Sequence, residues 1–141
     1  MKILIFGLPG SGKTTLAKPF SELINGVHIN ADEVREYYDD WDFTPEGRMR
    51  QAARMRYLSD GVVLAGKIAV TDFICPTESA RQAFDPDFTI WMDTIKKGRY
   101  EDTNRMFEAP AQYDYHVAKW FDDTHVQLLE VVQAWMKRND V

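Results

Sequence analysis

The chain has 141 residues, a length typical of one domain, and 45% of them are hydrophobic, which is enough to form one core. Its net charge of −5 argues against a broad nucleic-acid surface, which needs a basic face, but leaves a local basic cluster open. No apolar run reaches the roughly 18 residues of a membrane span, and the single cysteine, Cys75, cannot form an internal disulfide. We therefore expect one cytoplasmic domain without a membrane segment.

The first feature along the chain is a glycine-rich turn between an apolar strand (residues 2–6) and a helix. It has the pattern of a phosphate-binding loop, formed by Gly7, Leu8, Pro9, Gly10, Ser11, Gly12, Lys13 and Thr14, with Thr15 next in the helix. Backbone N–H groups of this pattern surround the β-phosphate of a nucleotide, and the helix directs its positive end at the same anion. Lys13 can reach the β- and γ-phosphates, and the Thr14 hydroxyl can ligate Mg²⁺. The pattern therefore predicts ATP and Mg²⁺ as cofactors.

A helix over residues 14–24 and a short strand over 27–30 follow the loop. Asp32 comes directly after that strand, at the sheet edge where open α/β folds bind ligands. A carboxylate there can serve as a partner of Mg²⁺ or as the base for a hydroxyl group. The alternative is that Asp32 caps the next helix, and its spacing leaves both interpretations open.

A long helix is predicted from Glu46 to about Leu64, with a Thr-Pro start. Two of its turns carry four arginines: Arg48, Arg50, Arg54 and Arg56. Such a run either forms a solvated face or contributes a guanidinium that binds an anion with two parallel hydrogen bonds.

A third strand is predicted over residues 68–73, followed by a helix over 77–84 and a fourth strand over 88–93. Asp72 lies near the carboxyl end of the third strand, at the same edge as the phosphate-binding loop. It can hold the Mg²⁺ shell or cap a loop.

The charged segment 94–110 is different, because its apolar pattern is weak. It is either a lid that closes over the triphosphate or a solvated connection, and Arg99 and Arg105 are its candidate lid arginines. A fifth strand (113–117) and a closing helix (122–137) complete the chain. The three histidines have no metal-ligand spacing, so each is expected to be structural or exposed.

The alternation of strands and helices predicts an α/β fold. Right-handed crossovers then give a five-stranded parallel sheet with helices on both faces, the three-layer P-loop NTPase fold.

Asn-Ala-Asp-Glu-Val-Arg from position 30 and Phe-Thr-Pro-Glu-Gly-Arg from position 43 are two further motifs, and both resemble motifs of the adenylyl-sulfate kinases, small P-loop kinases that phosphorylate the 3′-hydroxyl of adenosine 5′-phosphosulfate. Asn-Ala-Asp-Glu-Val-Arg from position 30 resembles the family's Asp-Gly-Asp-x-x-Arg, which implies that Asp32 and Arg35 bind substrate. Phe-Thr-Pro-Glu-Gly-Arg from position 43 resembles Phe-Ser-x-x-x-Arg, which implies that Phe43 stacks on the acceptor's adenine and Arg48 contacts its phosphosulfate.

The rest of the resemblance includes clear departures. Gln51 stands where the family has a substrate-contacting Asn, and Ile-Cys-Pro from position 74 resembles Ile-Ser-Pro, which puts Cys75 in the place of a substrate-binding Ser. Asp72 stands where the family is usually apolar or small. After Asp93 the match fails, because the family's lid is shortened to residues 94–110. The donor half of the pattern is therefore intact, whereas the acceptor half is altered.

The resulting prediction is an ATP-dependent kinase with Lys13 and Asp32 as catalytic residues. Its acceptor is expected to be a small, nucleotide-like alcohol, with adenosine 5′-phosphosulfate as the first choice. The alternatives are a hydroxymethyl-pyrimidine nucleotide or DNA base, another small alcohol such as a sugar acid, or a nucleotide-binding switch without an acceptor. A homodimer and a nucleic-acid acceptor are left open.

Overall fold

Eleven strands and helices follow one another in the computed structural model, which describes residues 1–141. In chain order they are β1 (Lys2–Gly7), α1 (Lys13–Leu23), β2 (Val27–Asn30), α2 (Ala31–Tyr38), α3 (Pro45–Leu64), β3 (Ala69–Asp72), α4 (Glu78–Phe84), β4 (Phe88–Met92), α5 (Glu101–Met106), β5 (Tyr115–Val117) and α6 (Thr124–Arg138). None of these helices has the length and apolar composition needed to cross a membrane.

The five strands form one parallel sheet in the order β2-β3-β1-β4-β5. β1 lies at its centre and is buried along its whole length, because helices cover both faces of the sheet. The predicted fold class is therefore confirmed. Pairing of Ile5 with Asp72 and of Asn30 with Asp72 brings the carboxyl ends of β1, β2 and β3 to the edge where the glycine-rich loop begins.

Alternate residues of β1 supply two separate cores. Ile3 and Ile5 pack with α1 and α6 on one face, whereas Leu4 and Phe6 pack with α3 and α4 on the other. Burying one side chain of this kind contributes roughly 1.5–3 kcal/mol, so the strand that carries the glycine-rich loop is held firmly from both sides.

Side-chain caps determine where two of the helices near the sheet edge begin. The side chain of Asn30 accepts a hydrogen bond from Glu33 N at the start of α2, and Thr44 does the same for Gly47 N at the start of α3. Asp32 is therefore not the cap of α2, and its carboxylate is left for another role.

Two segments differ from the sequence-based expectation. β5 begins only at Tyr115, because the Asp114 carboxylate accepts hydrogen bonds from both the backbone N and the hydroxyl of Thr89 just before the strand. The predicted lid contains a short helix, α5, that charge patterning alone did not indicate.

Candidate active site

The glycine-rich loop forms a tight turn between β1 and α1. Gly10 and Gly12 have φ angles of 87° and 95°, in the left-handed region that favours glycine. Gly7 lies so close to β4 that a Cβ there would stand 2.5 Å from the carbonyl oxygen of Met92. The Leu8 carbonyl accepts hydrogen bonds from Ser11 N at 3.1 Å and from Lys13 Nζ at 3.0 Å. Lys13 is thus folded back over the turn.

Burial of Lys13 lowers the pKa of its ammonium group from 10.5 to about 8, and the charges of Asp72 and Asp32 partly oppose this shift. Lys13 therefore lies in a partly desolvated position between two carboxylates. Such a cation gains more from an incoming phosphate than one in water, since the interaction is less screened.

Oxygen and nitrogen groups from three elements meet beside the first turn of α1. Thr14 Oγ1 donates to Asp72 Oδ1 at 3.1 Å, and Asn30 Nδ2 donates to Thr14 Oγ1 at 3.1 Å and to Asp72 Oδ1 at 3.2 Å. His28 Nε2 pairs with Asp72 Oδ2. The sequence-based expectation that Asp72 faces the loop agrees with this arrangement.

The donor set beside Thr14 suits Mg²⁺. Magnesium prefers hard oxygen ligands and usually takes one or two from protein, with water and phosphate completing its shell. The Thr14 hydroxyl and the Asp72 carboxylate are oxygens of this kind. No group of three or more His, Cys, Asp or Glu side chains could hold a metal ion in this structure, so binding here would depend on the nucleotide's own phosphates.

Asp32 lies in the first turn of α2, exposed and without a hydrogen-bond partner. Its charge raises the pKa of both Lys13 and Arg35, against the larger effect of burial on each. Asp32 is thus an unpaired carboxylate near enough to both cations for its charge to act on each.

Arg35 of α2, Phe43 of the following loop and Arg48 of α3 form one cluster. The guanidinium carbons of Arg35 and Arg48 lie 4.3 Å and 5.3 Å from the centre of the Phe43 ring. Arg35 Nη1 donates to the carbonyl oxygens of Asp40 and Asp42, at 2.9 Å and 3.2 Å. The structure thus brings together the aromatic and cationic residues that the sequence analysis identified. The two hydrogen bonds of Arg35 Nη1 also stabilise the loop that carries Phe43.

Arg48 also connects the acceptor side to the segment 94–110. Its Nη2 donates to Thr103 Oγ1 at 2.8 Å, and its Nε donates to the Phe43 carbonyl oxygen at 3.0 Å. Burial lowers the pKa of Arg48, and the charge of Asp102 opposes this effect. Helix α5 is therefore docked against the first turn of α3.

The remaining arginines of α3 have structural partners. Arg50 Nη2 lies 2.8 Å from Asp42 Oδ2, and Arg54 Nη2 lies 2.7 Å from Asp40 Oδ2. Hydrogen bonds from Thr44, and next from Arg50, lower the pKa of Asp42 to about 2. The sequence-based interpretations of the arginine run, a solvated face or an anion-binding guanidinium, did not include these ion pairs with carboxylates; Arg56 likewise lies 3.5 Å from Asp60.

Three residues expected to contact the acceptor are buried: Arg35, which is 4% exposed, Gln51 and Cys75. Gln51 donates from Nε2 to the Ala31 carbonyl at 2.9 Å, while its Oε1 is buried without a partner. Cys75 is 1% exposed and lies in the core beside α3 and α4, where burial raises the pKa of its thiol well above the ordinary value. The Cys75 side chain turns into the core from a left-handed backbone position with φ of 44°. Its sulfur is therefore not accessible to an acceptor.

The segment 94–110 begins on the phosphate-binding loop. Thr94 Oγ1 donates to the Ser11 carbonyl at 2.7 Å, and Gly98 packs next to Pro9. The two candidate lid arginines are exposed: Arg105 Nε lies 3.7 Å from Glu101, and Arg99 has no carboxylate within 4 Å. The Arg99 guanidinium carbon lies 5.7 Å from the centre of the Tyr100 ring, and its role as a lid arginine stays a prediction.

Sequence reasoning missed three residues of the site. His28 and Asn30 occupy alternate positions of β2 and so share one face, a signal that the short strand contained. Trp120 packs near Gly12, where a Cβ would lie 3.9 Å from its ring, and nothing in the sequence spacing indicated this contact.

The family model described as an AAA domain matches residues 3–101. No curated protein is significantly similar in sequence to this chain.

Solved kinase structures share the fold at low sequence identity. The APS kinase of Mycobacterium tuberculosis in complex with AMPPNP and APS superposes with a TM-score of 0.71 at 15% identity, over 94% of this chain and 96% of that one. A sugar kinase from Janibacter sp. HTCC2649 gives 0.70 at 17% identity, over 96% and 94%. Shikimate kinase from Aquifex aeolicus gives 0.64 at 14% identity, over 99% and 98%. The fold is therefore that of small P-loop kinases.

Proposed function

The chain belongs to the AAA domain family, and from its fold and site we propose that it is an ATP-dependent kinase. It transfers the γ-phosphoryl group of ATP to a hydroxyl group of a small, nucleotide-like acceptor. The solved structures that share its fold include kinases for three kinds of small molecule, which supports this class of reaction but leaves the acceptor to be found.

One observation carries the proposal. Lys13 lies over the phosphate-binding loop that follows β1, and the unpaired Asp32 follows β2 at the same carboxyl edge of the sheet, near enough for its charge to raise the pKa of Lys13. A cation for the transferred phosphate and a carboxylate that can act as base for the attacking hydroxyl are thus held at one edge of the sheet. Phosphoryl transfer depends mainly on such positioning and charge stabilisation.

In the proposed reaction, Asp32 takes the proton of the acceptor hydroxyl as its oxygen attacks the γ-phosphorus, and ADP leaves. Lys13 and the loop N–H groups stabilise the charge on the phosphate oxygens. Thr14 and Asp72 would hold Mg²⁺, which supplies charge neutralisation between the β- and γ-phosphates.

On the acceptor side, Arg48 contributes positive charge next to the exposed ring of Phe43, while Arg35, which is 4% exposed, stacks on the same ring and holds the loop that carries it. A planar base and an anionic group match this pair of features, and adenosine 5′-phosphosulfate has both. Gln51 and Cys75 are buried, so the acceptor would lose the two polar contacts that the resemblance assigns to these positions. Each missing contact costs roughly 1–3 kcal/mol of discrimination, and we therefore expect poor selectivity for that compound or better use of another hydroxylated nucleotide.

The test is the dependence of ADP release on the acceptor. Wild-type protein with Mg²⁺ and ATP is expected to release ADP slowly alone and much faster with one member of an acceptor panel, and the Lys13→Ala variant is expected to do neither. A nucleotide-binding switch would release ADP at one rate whatever alcohol is added, and that result would reject the kinase proposal.

A further inference from the structure

A histidine on the edge strand is joined to the proposed Mg²⁺ site. With its Nε2 protonated, His28 donates to Asp72 Oδ2, while Thr14 donates to the other oxygen, Oδ1. Asn30 lies two positions after His28 on β2 and also donates to Asp72. Asn30 Nδ2 bridges the two oxygens of this carboxylate, at 3.2 Å from Oδ1 and a longer 3.4 Å from Oδ2, whereas His28 binds only Oδ2 and Thr14 only Oδ1.

His28 is the one ring nitrogen donor to Asp72. Asp72 is 2% exposed, no Lys or Arg nitrogen lies within 4 Å of its carboxylate, and its side-chain hydrogen bonds come from His28, Thr14 and Asn30. A buried carboxylate that loses a donor must turn toward another one or remain unsatisfied at a cost. The nearest alternatives are Thr14 and Asn30, and a turn toward either would disturb the oxygen that faces the loop.

We propose that His28 is a positioning residue for the Mg²⁺–nucleotide site: by holding Asp72 Oδ2, it keeps Oδ1 beside the Thr14 hydroxyl. This inference rests on the proposed function, because it takes the nucleotide's Mg²⁺ to bind next to Thr14 and Asp72. Hydrogen-bond partners of metal ligands usually contribute about 10- to 100-fold to metal affinity or activity, since they fix the ligand's orientation. His28 acts through Asp72 and touches neither the substrate nor the reacting atoms.

Two variants separate the hydrogen bond from the bulk of the ring. His28→Ala removes both, whereas His28→Gln keeps an N–H donor at a similar distance from the strand. His116 provides a matched control, because its Nε2 also pairs with an aspartate, Asp93, at 2.9 Å, and Asp93 has no hydrogen bond to Thr14.

The experiment measures the affinity for ADP by calorimetry, first with MgCl₂ and then with EDTA, and takes the ratio of the two Kd values. In His28→Ala we expect this Mg²⁺-dependent gain to fall by about tenfold or more, while the Kd in EDTA stays within about twofold of wild type. His28→Gln should retain most of the gain, and His116→Ala all of it. In an Asp72→Asn background, His28→Ala should cause no further loss.

Three results would overturn the inference. One is an unchanged Mg²⁺-dependent gain in His28→Ala, and another is an equal loss in His28→Gln, which would assign the effect to the volume of the ring. The third is a loss of ADP binding in EDTA as well, which would make His28 a structural residue of the loop region. Failure of the kinase proposal is seen separately, because it would appear as the absence of acceptor-dependent turnover in wild type while the ADP titration still reports on His28.

Discussion

The lowered pKa of Lys13 predicts that nucleotide affinity falls as pH rises above about 8. The phosphates bind the charged ammonium, so the apparent Kd varies inversely with the charged fraction of Lys13 in the free protein. For a pKa of about 8, that fraction falls from about 76% at about pH 7.5 to about 9% at about pH 9. The Kd for ADP should therefore rise about eightfold over this interval. A lysine at the ordinary pKa of 10.5 would change it by less than about 5%.

The assay is calorimetric titration with ADP in EDTA, which removes the metal from the measurement, over a pH range where the nucleotide phosphates have already lost their last proton. Lys13→Arg is the control, because a guanidinium stays charged over the whole interval. The variant is expected to bind more weakly but with a Kd that does not change with pH. A Kd for ADP that does not change with pH in the wild type would refute the claim that a partly desolvated Lys13 carries the charge at the loop. An equal dependence of Kd on pH in Lys13→Arg would refute it as well.

Four further substitutions test the roles of individual residues. Lys13→Ala should abolish turnover without lowering the melting temperature, because below about pH 8 the buried ammonium costs folding free energy; a lower melting temperature would contradict this. Asp32→Asn should lower kcat by about 10²- to 10⁴-fold and leave the Kd for ADP nearly unchanged at a pH well below the pKa of Lys13, where this lysine is charged in both proteins; an equal loss of ADP affinity there would reassign Asp32 to the metal. Arg48→Gln should raise the KM for the acceptor more than that for ATP, and parallel increases in steady-state assays would place Arg48 outside the acceptor site. Cys75→Ser should reduce the free energy of unfolding by about 1–3 kcal/mol, because it buries a hydroxyl group that has few hydrogen-bond partners. The KM for the acceptor should not change, and an altered KM would mean that position 75 reaches the acceptor.

The donor side of the site could be predicted from local sequence because its chemistry depends on neighbouring positions. The glycine-rich loop fixes Lys13 and Thr14 relative to α1, and the parallel sheet brings Asp72 to the same edge. The helices and strands could be predicted as well, because they depend on the spacing of apolar residues, which is also a local feature of the sequence. The order of strands and helices was predicted correctly except for α5, with most element ends within two residues.

The acceptor side could not be predicted as well, because burial and pairing there depend on contacts between distant segments. Four arginines on α3 look equivalent in sequence, yet Asp40 and Asp42 from the preceding loop neutralise two of them. Cys75 aligns with a substrate-binding serine, but a left-handed backbone turn places its sulfur in the core. The role of His28 could not be predicted from sequence spacing, because its partner is the carboxylate of Asp72, which lies 44 positions later in the chain.

The central claim is that the γ-phosphoryl group of ATP passes to an acceptor hydroxyl, and transfer of labelled phosphate tests it most directly. Specificity constants should be measured side by side for adenosine 5′-phosphosulfate, hydroxymethyl-pyrimidine nucleotides, hydroxymethyl-pyrimidine DNA and gluconate, with Asp32→Asn as the inactive comparison. The account predicts labelled product from at least one hydroxylated nucleotide, with weak or unselective use of adenosine 5′-phosphosulfate. High and exclusive use of that compound would contradict the altered acceptor side, and label released only as inorganic phosphate with every acceptor would contradict the kinase itself.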